Sequence, residues 1–202
     1  METRGAAWAG GVRPYAINSK KLGMWLFILS DTLTFGALLM SYSYLRMASP
    51  TWPTPFHGSS IALASVMTFC LLSSSLTMVL AVDAGHRNQR REAARWIFFT
   101  MLGGLAFVVL HSWEWSGLIH EGVRPFRNPW GAPLFGATFF ALTGMHMLHV
   151  TVGVIYLGIV AFGFRGSRYT GQDVEVVGLY WHFVDLVWMF IFPLVYLMST
   201  KI

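Results

Sequence analysis

Five long apolar runs, at residues 22–45, 60–82, 96–118, 134–163 and 176–199, alternate with short polar or proline-rich stretches. Each exceeds the roughly 20 residues that carry an α-helix across a hydrocarbon core of about 30 Å. The fourth is the longest, and at about 1.5 Å per residue it either tilts or protrudes. None shows the two-residue alternation of a membrane β-barrel strand. The pattern predicts an all-α, polytopic membrane protein: a bundle of five transmembrane helices over residues 21–202, behind a short segment at 1–20.

The interruptions predict the loops. Pro50, Pro53 and Pro55 cannot continue a helix, so the first connection is extended. The second, over 83–95, is charged. The third, 119–133, contains Pro125, Pro129 and Pro133, with Trp130 placed for a membrane interface. The fourth, 164–175, is polar and contains Gly166 and Gly171. Pro193 predicts a kink in the fifth helix, because its missing N–H frees a carbonyl one turn earlier. The second run is rich in small and hydroxyl residues, among them Ala64, Thr68, Ser73, Ser74, Ser75 and Thr77. Helices in lipid associate by close backbone approach and interhelical hydrogen bonds, so this span is expected against protein. Gly103, Gly104, Gly144 and Gly153 predict further close crossings.

Composition narrows the class. The 202 residues are 55% hydrophobic and 11% charged, against about 25% charged in soluble domains. A chain this short cannot wrap five such helices in a polar shell. The first run starts too late and runs too long for a cleaved signal, so it is expected to remain as a span. Cys70, the single cysteine, permits no internal disulfide and reads as small apolar packing.

Charge sets orientation. Ten of the 14 Lys and Arg residues lie in the N-terminus and the second and fourth loops, and only Arg46, Arg124, Arg127 and Lys201 lie opposite. In a bacterial plasma membrane this split places the N-terminus in the cytoplasm and the C-terminus outside. The net charge of +5 is then topological, and no basic stripe interleaved with aromatics argues for a nucleic-acid partner.

Seven ionisable side chains interrupt the apolar runs: Asp31, and the pairs His111/Glu114, His146/His149 and His182/Asp185, each spaced i,i+3. Such groups are expensive in lipid and mark a function or an interhelical lock. Asp31 lies roughly 14 Å into its helix, and reads as a buried contact, a proton store or a reactive acid. Glu114, near the end of its helix, reads as an interfacial helix–helix contact. His146 and His149 share a face and read as hydrogen-bonding groups or as half of a metal site, which needs three or four ligands. Asp185, with His182, Trp181 and Trp188 around it, is expected to be satisfied by an adjacent imidazole or indole N–H. A helix lock, proton handling and metal ligation all remain open for that pair. There is no phosphate loop, hydrolytic triad or cysteine-rich metal site.

Three segments go further. Tyr180-Trp181-His182-Phe183-Val184-Asp185, followed by Val187 and Trp188, closely resembles the final helix of subunit III of haem-copper oxidases. Thr143, Gly144, His146, His149, Val150 and Gly153 look like that family's penultimate helix. Lys21 to Asp31 is similar to a third family segment, although the family's usual acid there is glutamate. The resemblance covers all five spans. Longer family members have seven spans, and this chain begins at the equivalent of their third, as five-span members do.

The resemblance implies a non-catalytic subunit with no catalytic residue, metal or cofactor of its own, packed against subunit I. Subunit II and small subunits complete such a complex, with haem and copper held by the partner subunits and cytochrome c as electron donor. It implies roles in protecting subunit I during turnover, supporting proton uptake and holding phospholipid, with His149, His182 and Asp185 as interior contacts. The alternatives are subunit III of a quinol oxidase and an accessory subunit of a nitric oxide reductase. Outside the family stand an intramembrane metalloenzyme built on His146, His149 and His182, and a proton-coupled transporter using Asp31 and Asp185.

Overall fold

The structure, a computed structural model, describes residues 18–56, 58–127 and 129–199. Five helices carry the fold: α1 Ser19–Ala48, α2 Gly58–His86, α3 Arg90–His120, α4 Pro133–Arg165 and α5 Gly171–Ile191. All five are long and apolar enough to cross a membrane.

The helices outrun the apolar runs that predict them. The charged connection expected over 83–95 is mostly helix, leaving Arg87, Asn88 and Gln89 as the link. Charged residues do not end a helix. What ends α2 is Asn88, whose φ of 57° is a left-handed conformation that asparagine tolerates better than most residues. The fourth connection shrinks likewise to 166–170. There Thr170 and Asp173 form a reciprocal capping box that starts α5, satisfying N–H groups that would otherwise be orphaned. At the start of the chain, Asn18 caps α1 by accepting from the Lys20 N–H. Residues 19 and 20 are therefore helical, and the rest of the expected N-terminal segment, 1–17, lies outside the described residues. At Pro193 the backbone widens into a π-helical turn over Phe192–Tyr196, followed by a short 3-10 turn. This is a register change of the kind that absorbs a missing N–H within a helix.

Successive helices run up and down, so one end gathers Lys20, Lys21, His86, Arg90, Arg165 and Asp173; we call it the basic end. The helix α5 lies at the centre, packed on α1, α2 and α4, while α3 packs on α2 and α4. Thirteen of the 21 residues of α5 are buried, against two of the 30 in α1, Phe35 and Tyr42. The outer helix α1 is pinned instead by polar contacts at three levels. Lys20 and Lys21 pair with Asp173 and Glu175 at 2.6 Å each. Asp31 meets His149 in the middle. Arg46 donates to the carbonyls of Leu194 and Met198 at the far end.

The glycines sit where helices cross closely. A Cβ on Gly104 would run into the Trp181 ring, and one on Gly153 would lie 3.0 Å from both Trp181 and Tyr180. The Trp181 indole thus occupies space that α3 and α4 leave open. Gly103 meets Ser74 and the Cys70 carbonyl, and Gly144 meets Trp115.

Candidate functional site: the buried acid and histidine contacts

The site residues derive from four helices, and their pairing in sequence is not their pairing in space. Three residues along a helix leave two side chains about 60° apart, enough for His146 and His149 to face different neighbours. His149 turns to α1, with its Nε2 2.7 Å from Asp31 Oδ2. Its Nδ1 donates to the Met145 carbonyl at 2.8 Å, which places a proton on Nδ1 and leaves Nε2 for the acid. Asp31 Oδ2 has no hydrogen-bond partner among the described residues, so this is a close acid–imidazole contact rather than a hydrogen bond. Tyr180 fixes the same turn of α4 by donating to the His149 carbonyl at 2.9 Å.

His146 points inward and is fully buried. Its ring stacks on Trp188 at 5.2 Å and meets Phe107 edge-on at 5.4 Å. Neither ring nitrogen has a hydrogen-bond partner among the described residues. His111, also fully buried, stacks on Phe107 at 5.4 Å. Its Nδ1 lies 3.4 Å from Glu114 Oε2.

Glu114 is buried and makes a contact between α3 and the turn that follows α5, where the Tyr196 hydroxyl donates to its Oε2 at 2.6 Å. Sequence reading missed Tyr196. It sits in the π-helical turn, where the widened backbone breaks the 3.6-residue register used to place side chains on faces.

Asp185 departs from expectation. The neighbouring imidazole and indoles do not satisfy it. His182 Nδ1 shares a hydrogen bond with Ser75 Oγ at 2.7 Å, Trp181 Nε1 donates to Ser74 Oγ at 3.0 Å, and Trp188 Nε1 donates to Thr68 Oγ1 at 2.9 Å. Asp185 is left with Ser75 within reach and with Oδ1 unpartnered. These contacts form an antiparallel zipper in which the hydroxyl stripe of α2 reads the aromatic ridge of α5. The hydroxyl-rich sequence of α2 is the signal that foretold it.

The structure therefore resolves the candidates into three separate places. Asp31 and His149 join α1 to α4, His111 and Glu114 join α3 to Tyr196, and His182 joins α5 to α2. His146 lies among the aromatics between them. Among the described residues no three His, Cys, Asp or Glu side chains converge as a metal would require. What the arrangement can do is hold helices in register and keep titratable groups inside the bundle.

A sequence model described as cytochrome c oxidase subunit III matches residues 4–200. The cytochrome c oxidase subunit 3 of Alkalihalophilus pseudofirmus is 34% identical over 186 residues, spanning 91% of this chain and 88% of the relative. The cytochrome bo(3) ubiquinol oxidase subunit 3 of Pseudomonas aeruginosa is 32% identical, spanning 88% of this chain and 84% of its own. The quinol oxidase subunit 3 of Bacillus subtilis is also 32% identical, spanning 88% and 86%. The two hallmark segments lie on α4 and α5, where Gly153 and Trp181 interlock. The chain belongs to the cytochrome c oxidase subunit III family.

Proposed function

We propose that this chain is the non-catalytic third subunit of a proton-pumping haem-copper oxidase that uses cytochrome c to reduce oxygen to water. On this reading it sits in a bacterial plasma membrane with its N-terminus in the cytoplasm and its C-terminus outside. It packs against subunit I, in a complex with subunit II and smaller subunits. Haem and copper belong to those partners, and phospholipid is bound at the helix surfaces.

The observation that carries this reading is the family match over residues 4–200. The buried groups agree with a scaffold role. They are used between helices of the same chain, in three places, rather than converging on a reacting centre. The basic residues at one end of the bundle support the orientation. The choice of cytochrome c over quinol is the finer part of the proposal, since relatives named for both donors align along most of the chain.

The test is a mild-detergent pull-down through an N-terminal tag, read by reduced-minus-oxidised spectroscopy and by mass identification of partners. Haem-bearing partners with cyanide-sensitive oxygen uptake from reduced cytochrome c are the expected result. Uptake from quinol alone would retain the oxidase and change the donor. A chain that purifies without haem-bearing partners would overturn the proposal. Deleting the chain should leave the haem spectrum of the complex intact while activity decays faster during turnover; immediate loss of haem would contradict an accessory role.

A further inference from the structure

At the end of the bundle away from the basic residues, aromatic rings form a continuous path from the surface to the core. Trp130 is exposed in the loop before α4, and its ring lies 6.0 Å from Phe135. Phe135 stacks on Phe139 at 5.8 Å, and Phe139 meets Tyr196 edge-on at 6.3 Å. Trp188 follows 5.9 Å from Tyr196. Inward of Trp130, all four of these rings are fully buried. The path thus joins an oxidisable side chain at the surface to two more in the interior.

The polar atoms on this path have different partners. The Tyr196 hydroxyl donates to Glu114 Oε2 at 2.6 Å, a separation typical of an O–H bonded to an ionised carboxylate. A base at that distance can take the proton without moving. Among the described residues no lysine or arginine pairs with Glu114. Trp188 Nε1 donates instead to the Thr68 hydroxyl, which is no base. An electron lost from Trp188 therefore leaves its N–H in place. A phenol that loses an electron becomes a very strong acid, and at Tyr196 its proton has somewhere to go. Transfer to the carboxylate also removes two opposite charges from a medium that solvates charge poorly.

We propose that Tyr196 is a one-electron redox site, which holds an oxidising equivalent as a neutral tyrosyl radical with Glu114 as its proton acceptor. The oxidant, by class a peroxyl radical at the membrane surface, takes one electron from Trp130 and one proton from water and becomes a hydroperoxide. The electron missing from Trp130 is replaced from Tyr196 across the contacting rings of Phe135 and Phe139, which are not themselves oxidised. As that electron leaves, the phenol O–H bond breaks and the proton crosses to Glu114 Oε2. Tyr196 has then lost one electron and one proton, and Glu114 has become a neutral acid. A supplied electron reverses the step, with Glu114 returning the proton. Full burial of Tyr196 keeps the radical from coupling with a second one. The site rests on packing within this chain and not on the oxidase assignment.

The test uses the full-length chain in mild detergent, oxidised by photogenerated ruthenium(III) tris-bipyridine with persulfate as the electron acceptor. Samples are frozen at intervals and read by electron paramagnetic resonance. The expected signal is a neutral tyrosyl radical that loses most of its intensity in Y196F. E114Q keeps a hydrogen-bond acceptor but removes the base, and should slow formation of the radical about 100-fold, the low end of what a positioned base contributes. W130F should slow it as well, while Y44F, at an exposed tyrosine, should leave it unchanged. The parent protein gives a reading that needs no variant. Electron–nuclear double resonance should find one strongly coupled exchangeable proton at the phenoxyl oxygen, donated back by Glu114. An undiminished signal in Y196F, a parent rate in E114Q or W130F, or a radical without that exchangeable proton would overturn the proposal. So would a tryptophanyl radical in place of the tyrosyl one. None of these readouts involves oxygen uptake, so the redox site and the oxidase assignment fail separately.

Discussion

Asp31 and His149 meet at a depth where each would otherwise face hydrocarbon or an apolar helix surface. Removing one partner leaves the other's polar atom without a substitute, which costs about 1–3 kcal/mol. Asp31→Ala should therefore lower the thermal midpoint of the chain in detergent, and Asp31→Asn should lower it less, because an amide still reaches Nε2. Indistinguishable midpoints for all three proteins would show that the contact carries no stability. The Lys20–Asp173 pair is a different matter, because the lysine side chain is 61% exposed and Asp173 keeps its hydrogen bonds from Thr170 without it. Lys20→Met should change stability by less than about 1 kcal/mol, in keeping with surface ion pairs in general. The residue types at these positions are plain in the sequence, but their partners are not. Asp31 and His149 are 118 positions apart, and nothing local indicates that α1 and α4 touch there.

The α2–α5 zipper is the element-scale counterpart. Thr68 also donates to the Ala64 carbonyl within its own helix, so the hydroxyl oxygen accepts from Trp188 while its proton is used locally. Thr68→Val keeps the shape and strands the Trp188 N–H, at a cost of about 1–3 kcal/mol. Ser74→Ala should act similarly through Trp181. The two hydroxyls are roughly 9 Å apart along α2, so the losses should add to within a few tenths of a kcal/mol. Strong coupling in a double-mutant cycle would mean that the zipper moves as one unit.

Glycine positions give a sharper contrast between α3 and α1. Gly104→Ala drives a methyl group into Trp181 and should destabilise by about 1–3 kcal/mol, the usual cost of overpacking. Gly23→Ala meets nothing within 4 Å and should be neutral or stabilise α1 by up to about 1 kcal/mol, the helix preference of alanine over glycine. Chemical or thermal unfolding of the two variants checks both. In the sequence these glycines look alike, because what separates them is the ring that fills the space opposite.

For the whole molecule, unequal burial implies unequal stability. A helix with two buried residues and polar contacts at three levels should open before one with thirteen buried residues at the centre. Hydrogen exchange in detergent should show α1 losing protection first and α5 last. Simultaneous exchange of the two would indicate a single cooperative unit. The outward face of α1 presents Trp25, Leu26, Leu29, Leu33 and Met40. In a membrane that face lies against lipid or a partner, so its rate of exchange should fall when the chain is measured within its complex.

Much of this protein is determined by the sequence alone. Five spans follow from run length, because hydrocarbon leaves a crossing backbone no partners but its own. The class of helix that α2 would be follows from its hydroxyls, and family membership follows from the residues around His149 and Asp185. The tertiary structure decided the rest. Helix ends moved outward because polar side chains do not stop a helix, whereas Asn88 and the Thr170 capping box do set limits. The Asp185 expectation failed because nearest neighbours in sequence competed with hydroxyls on another helix and bonded to those instead. Tyr196 became Glu114's partner only because the turn at Pro193 changed the helical register. The periodicity of a sequence reports which face a side chain takes on its own helix. Which helix stands opposite, and at what height, depends on how all five pack together, and that choice assigned every buried acid and histidine its neighbours.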